Sequence, residues 1–234
     1  MSASRPGSAP PAGFWHRYAA WSLDAALVML LVLPFALPGL QVAWGTLGTA
    51  AKDLVSAVGT ALADAMMGGV PLPGIFDELL QDPRLLQAAT GVQVGLWQLA
   101  SPLLLGYALL AAPWHVLGEH SRWQGSIGKR ALGLAVTDMA DRPLSLARAA
   151  LRHMAGLLSW LTLNLGHAMA AVPPHKRALH DLVAGTRVLR VRGDARMPGW
   201  ARAWIVLQLL AMVGLWAWLM LRYIAALEAG IPGL

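Results

Sequence analysis

The segment Ala203–Leu221 carries no Asp, Glu, Lys or Arg and holds three tryptophans. Two other stretches are comparably apolar. Ala19–Leu40 has Asp24 as its only charge and is interrupted late by Pro34 and Pro38, and Leu85–Gly118 is free of Asp, Glu, Lys and Arg and longer than one span needs. A hydrocarbon core about 30 Å thick takes roughly 20 helical residues, so all three segments are long enough to cross it. A fourth, Ala155–Val172, is shorter. Composition points the same way. Of 234 residues, 57% are hydrophobic and 13% charged, against about 25% charged in an ordinary soluble domain. The chain is read as an integral membrane protein with one membrane domain. It contains no cysteine, which excludes disulfides, thiolate metal sites and thiol chemistry. The Ser-, Pro- and Gly-rich residues 1–13 read as a disordered tail, and the first apolar run reads as an uncleaved anchor.

Loop charges set the orientation. Residues 41–84 hold five acids (Asp53, Asp64, Asp77, Glu78, Asp82) against Lys52 and Arg84. Residues 113–153 carry Arg122, Lys129, Arg130, Arg142, Arg148 and Arg152, and residues 173–202 carry seven more Lys and Arg. Short basic loops stay in the cytoplasm. The N-terminus is therefore expected inside and the acidic insertion outside. The formal charge of +6 then reflects basic cytoplasmic loops facing anionic lipid head groups, with no nucleic acid implied.

Ala155–Val172 lies between two basic loops, and a full crossing would put one of them outside. It is read as a re-entrant or interfacial helical hairpin, broken near Asn164-Leu165-Gly166. The expected fold is an all-α membrane protein. It has three transmembrane helices, that hairpin, and a small two-strand element on the cytoplasmic face from "LGLAVTD" and "GTRVLRVR". Between the strands, "PLSLARAALRHM" reads as an amphipathic helix with Ser145 near its start. Outside, "VGTALADAMMGGVPLPG" and "FDELLQDPRLLQ" suggest short amphipathic helices, with Asp82-Pro83 as an N-cap and first helical position. The last span, within 191–234, is expected to use its tryptophans as interface anchors and lipid-facing bulk.

Arg17 and Asp24 are seven residues apart, about two helical turns, so they share a face with backbones roughly 10 Å apart. Helical side chains lean toward the N-terminus, so Arg17 leans away from Asp24 and each needs another partner. Arg17 is placed at the interface, where a long basic side chain snorkels. A charge at mid-helix costs about 2.5–3.5 kcal/mol on insertion scales, so Asp24 is expected to face the bundle interior. Two readings stay open there: a packing carboxylate satisfied by neighbouring polar groups, or a titratable ion site.

The stretch "GFWHRYAAWSLDAALV" resembles the opening of the RDD family of bacterial membrane proteins. The centre, "GSIGKRALGLAVTD", resembles that family's block G-x-S-x-G-K-x-x-x-G-x-x-V-x-D, its first glycine replaced by Trp123 or shifted. "HKRALHDLVAGTRVLR" resembles its ending H-D-x-x-x-G-T-x-V. The resemblance covers Gly13–Leu40 and about Val92–Arg190, with an outer insertion at 41–84 and a last helix beyond it. It implies that Arg17, Asp24 and Asp181 are the signature residues, supported by His180, Gly128, Lys129, Arg130, Gly133, Gly185 and Thr186. It also implies the inner membrane of a bacterium as the location, and transport or ion antiport, which is suggested for some members.

The remaining motifs exclude more than they assign. "GSIGKR" is not a phosphate loop, since Trp123 stands at the first glycine position and Arg130 follows the lysine. Glycines 125, 128 and 133 read instead as tight turns or close approaches, with Lys129 and Arg130 at lipid head groups. His175 and His180, like His115 and His120, are five apart, a poor same-face interval, and no H-E-x-x-H occurs, so no metal site is expected. No nucleophile elbow and no pair of intramembrane acids is visible, so neither enzyme activity nor a cofactor is expected. Asp181 reads as a turn acid bonding backbone amides, with Arg17 its most attractive partner. Two functions follow: a small proton- or cation-coupled transporter with Asp24 as the titratable site, or a non-catalytic accessory protein binding anionic lipid or a membrane partner. A homo-oligomer would suit the first.

Overall fold

The computed structural model describes residues 9–161, 165–173, 176–193 and 196–230. Its elements run α1 (Phe14–Met67), α2 (Leu72–Gln81), α3 (Pro83–His120), α4 (Ile127–Ala131), β1 (Leu134–Asp138), α5 (Leu146–Leu161), α6 (Leu165–Ala168), a 3-10 turn (Met169–Ala171), α7 (Leu179–Val183), β2 (Thr186–Arg190) and α8 (Gly199–Gly230). Three of these, α1, α3 and α8, are long and apolar enough to cross a membrane. The chain is mostly helical, as expected, with three long apolar helices and one two-stranded antiparallel sheet. Its long apolar helices mark it as a multi-pass membrane protein.

The first helix departs from expectation. α1 has 54 residues and continues through Pro34 and Pro38, where the sequence predicts an interruption. Prolines are tolerated inside membrane helices where neighbouring helices and local adjustment satisfy the freed carbonyls. The short outer helix expected around Val58–Gly74 is therefore the far end of α1, which runs on to Met67 before a turn through Gly69 at φ +71°. "FDELLQDPRLLQ" divides as expected at Asp82-Pro83. The Asp82 carboxylate accepts the Arg84 N–H at 2.7 Å, and α3 then runs unbroken to His120.

The chain forms two compact units, Met1–Met29 with Ala108–Leu219, and Leu30–Tyr107 with Met220–Leu234. Within the second, α1 and α3 pack antiparallel along small residues. Gly106 faces Val32, Gly95 faces Leu47 and Gly91 faces Ala50. Ala36, Ala43 and Ala50 are buried on α1 at seven-residue intervals, which keeps them on one seam. Small residues let two backbones approach closely, as membrane helix pairs require. A Cβ at Gly95 would lie 3.0 Å from the Leu47 Cα, so this approach is already at its limit.

The first unit carries the sheet. β1 and β2 pair antiparallel with Val136 opposite Val188, and Leu134, Val136 and Val188 pack with Ala19, Ala20, Leu144, Ala149 and Ala201 in one core. Of the tail expected over 1–13, residues 1–8 lie outside the described residues. Ala12 donates to the Val188 carbonyl and Arg190 donates to Pro10, both at 2.9 Å, so Pro10–Ala12 lie along the free edge of β2. Ser145 caps α5, its hydroxyl accepting from the Arg148 N–H at 3.3 Å. α5 then continues to Leu161, so Ala155–Val172 is shared among α5, α6 and the 3-10 turn rather than forming one helix. Asn164 lies outside the described residues, while Leu165 opens α6.

The last helix is tied to α1 by polar contacts that the anchor reading of its tryptophans overlooks. Trp204 Nε1 and Gln208 Nε2 both donate to Ser22 Oγ at 3.2 Å, and the Tyr18 hydroxyl donates to Gln208 Oε1 at 3.0 Å. Trp204 is thus a helix–helix contact, whereas Trp200, Trp216 and Trp218 are exposed.

Candidate functional site

Among the described residues of the first unit, two acids have no exposed surface, Asp24 and Asp181. One cluster joins them. Asp24 Oδ1 accepts from Trp114 Nε1 at 2.9 Å and from the Gly128 backbone N–H at 2.8 Å, and Asp24 Oδ2 accepts from the Ser126 hydroxyl. Its donors come from α3 and from the residues that open α4. In a phosphate loop this backbone would wrap a ligand, but here the protein's own carboxylate fills the space. That is why Gly128 has no side chain: a Cβ there would meet the Ala20 carbonyl and the Asp24 carboxylate.

Asp181 draws donors from four residues. Oδ1 accepts from Arg152 Nε at 3.1 Å and Nη2 at 2.9 Å, with the Thr186 hydroxyl at 3.4 Å. Oδ2 accepts from Arg17 Nη1 and from the Ala178 N–H at 3.0 Å. The last bond closes the first turn of α7, so Asp181 is also a turn acid. Arg17 spends its other nitrogens on backbone carbonyls, Nε on Ala12 at 3.1 Å and Nη2 on Lys176 at 2.6 Å. Its side chain is 12% exposed. It does not snorkel to solvent, as expected for a lone interfacial arginine, because acceptors inside the fold satisfy all three nitrogens.

The two halves meet at Glu119. Arg152 Nη1 and Lys129 Nζ both reach Glu119 Oε1, the latter at 3.0 Å, and Lys129 lies 3.4 Å from Ser126 Oγ. The chain of contacts therefore runs Arg17, Asp181, Arg152, Glu119, Lys129, Ser126, Asp24. Three cations balance three acids, which is what a buried charge cluster needs to persist. Lys129 departs from expectation. Its side chain is 13% exposed and points at Glu119, not at head groups. Arg130, next to it, points outward and stacks on Trp123 at 4.2 Å.

The other expected residues divide. Gly133 at φ +68° and Gly185 at φ +61° take backbone conformations that favour glycine. The Gly133 carbonyl accepts from Val191 at 2.8 Å. The first glycine of the central block corresponds to Gln124, two residues before Ser126, not to Trp123. Gln124 keeps a left-handed φ of +52°, so the turn survives the replacement. His180 Nε2 lies 3.7 Å from Asp181 Oδ1. Burial and the nearby Arg152 push the imidazole down to about 3, so it is neutral at pH 7 and shares no proton with the acid. Burial alone would raise Asp181, but Arg152 and Arg17 outweigh it and hold the carboxyl well below the usual range. His175 lies outside the described residues.

Sequence reasoning assigns no role to Glu119, Arg152, Trp114 or Ser126. One signal is available. Arg17, Lys129 and Arg152 outnumber Asp24 and Asp181, and Glu119 is the first acid after the run Leu85–Gly118.

The chain is 31% identical over 88 residues to the uncharacterized protein YxaI of Bacillus subtilis (strain 168), an alignment covering 38% of this chain and 58% of that relative. The chain thus spans somewhat over half of that relative's length. No solved structure matches it. Residues 11–185 match the profile of the RDD family, a stretch that contains Arg17, Asp24, Asp181 and every link between them, and the chain belongs to the RDD family.

Proposed function

We propose that this is a non-catalytic accessory protein of the bacterial inner membrane, and that its signature residues form an electrostatic clasp. The clasp fastens a basic cytoplasmic cap, built from α4, α5, α7 and the sheet, to the cytoplasmic ends of α1 and α3. One observation carries the reading: the Asp24 carboxylate is fully buried and both its oxygens are taken by donors within the fold. A proton- or cation-coupled carrier needs that group to exchange with water in some state. The alternative, transport through Asp24, is tested directly. Purified protein reconstituted with a pH-sensitive dye is expected to give no proton or sodium flux above empty vesicles. A flux in wild type that Asp24→Asn abolishes would replace the clasp by a carrier.

The cap reading includes orientation. α5 and α6 act as a hairpin at the cytoplasmic interface rather than a fourth span, because basic loops flank both ends. The absence of cysteine makes this simple to check with single substitutions. Ala140→Cys and Pro173→Cys are expected to react with a membrane-impermeant maleimide only from the cytoplasmic side, and Pro71→Cys only from outside. Labelling of residues 140 and 173 from opposite sides would make the segment a span and overturn the cap.

A further inference from the structure

The clasp leaves some cytoplasmic arginines unused. Arg17, Arg142, Arg148, Arg152 and Arg187 each pair with a carboxylate. Arg122, Arg130 and Arg192 pair with none among the described residues. Those three line one cavity of about 350 Å³, together with Trp123, Gln124 and Gly133, and no acid among the described residues lines it. Three arginines around one cavity, none of them paired with a carboxylate among the described residues, repel one another, so an anion would stabilise the site.

The framework beneath them is rigid. Gln124, at positive φ, accepts the Val136 N–H at 2.6 Å, which fixes the loop to β1. Gly133, also at positive φ, brings its carbonyl to the Val191 and Arg192 N–H groups at 2.8 and 3.2 Å. A Cβ on Gly133 would run into the Arg192 backbone, so the close approach that carries Arg192 to the cavity depends on glycine. Arg130 is held over the Trp123 ring, which orients a planar fork before any ligand arrives. Arginine forks match phosphate oxygens two at a time, and the volume lies at the small end for a ligand site.

We infer that this cavity binds a phosphate group, held by Arg122, Arg130 and Arg192. The lipid source of that phosphate rests on the cap reading above, since only a cap at the membrane surface meets head groups. The phosphate chemistry does not depend on it.

The test uses the full chain in detergent micelles. It is titrated in one arm with a short-chain phosphatidylglycerol and in the other with inorganic phosphate, binding being read by calorimetry. Binding in the first arm alone assigns a lipid phosphodiester. Binding in both assigns a site open to the free anion. Arg122→Gln/Arg192→Gln is expected to weaken either by about tenfold or more, while Arg202→Gln, an exposed arginine outside the cavity, is expected to change it less than twofold. Should the double variant fail to fold, Arg192→Gln alone is expected to weaken binding severalfold. No binding in either arm, or equal loss in Arg202→Gln, overturns the site. Vesicle flux reports on the clasp separately, so failure of one reading leaves the other standing.

Discussion

Asp181→Ala is expected to yield little or no monodisperse protein in mild detergent. The substitution strands two guanidinium groups, and arginine cannot shed its charge. Arg17 and Arg152 have side chains 12% and 7% exposed, so neither can be rehydrated without opening the cap. Removing one partner of a buried pair costs about 3–5 kcal/mol, and here one acid serves two pairs and closes the first turn of α7. Domains are stable by only about 5–15 kcal/mol. Arg152→Met alone should do less damage, because Glu119 keeps Lys129 and Asp181 keeps Arg17. The exchange Arg17→Asp with Asp181→Arg should not rescue, since an arginine at 181 would face Arg152. A rescued exchange would mean that the Arg152 contact carries no weight. Acid should imitate the mutation. The depressed Asp181 carboxyl stabilises the fold above its unfolded value of 3.8 and loses that contribution as pH falls below it. His180 acts with the same sign. Unfolded, it takes a proton near 6.5, but folded only at about 3, so the unfolded chain binds more protons across that interval. Stability should therefore fall as pH drops from about 6.5 toward 3. A melting temperature flat over this range would mean that His180 is not held neutral in the fold.

What can be read from the residues, and what cannot, divides by distance along the chain. Length and hydropathy suffice for the long helices, and alternation suffices for β1 and β2, because each is a local property. The link between Arg17 and Asp181 is accessible because both lie at basic ends of apolar runs. Direction is harder. A charge count treats Lys129 and Arg130 alike, yet the turn of α4 sends one inward to Glu119 and the other outward onto Trp123. Glu119 and Arg152 meet only because α5 lies against the end of α3, and no periodicity in either segment announces that. α1 likewise runs on past Pro38, where the sequence predicts that a span stops. The small residues buried along its far half, Ala43 and Ala50, the latter against Gly91 of α3, read singly as ordinary loop composition and gain meaning only as a seam.

Gly128→Ala should be nearly as damaging as loss of Asp181, although it changes no charge. The added methyl would enter space held by the Ala20 carbonyl, which is backbone of α1 and cannot rotate away, and would lie 2.9 Å from the Asp24 carboxylate. α4 must then retreat from α1. Retreat breaks the Gly128 N–H bond to Asp24 and pulls away the Ser126 hydroxyl, leaving a buried carboxylate with Trp114 alone. Overpacking costs about 1–3 kcal/mol, and an unsatisfied buried acceptor about as much again, more when charged. The shift would also drag on Lys129 and through it on Glu119, so the loss should propagate to Arg152. Gly156→Ala serves as control. A Cβ there meets nothing within 4 Å, and in mid-helix the change should be neutral or stabilise by about 0.5–1 kcal/mol. Asp24→Ala combined with Gly128→Ala separates two causes. If the carboxylate were the main obstacle, the double variant would recover; because the Ala20 carbonyl remains, it should not. Gly128→Ala melting with wild type in a thermal scan would mean that α4 is not seated on α1, and that Asp24 finds its donors elsewhere.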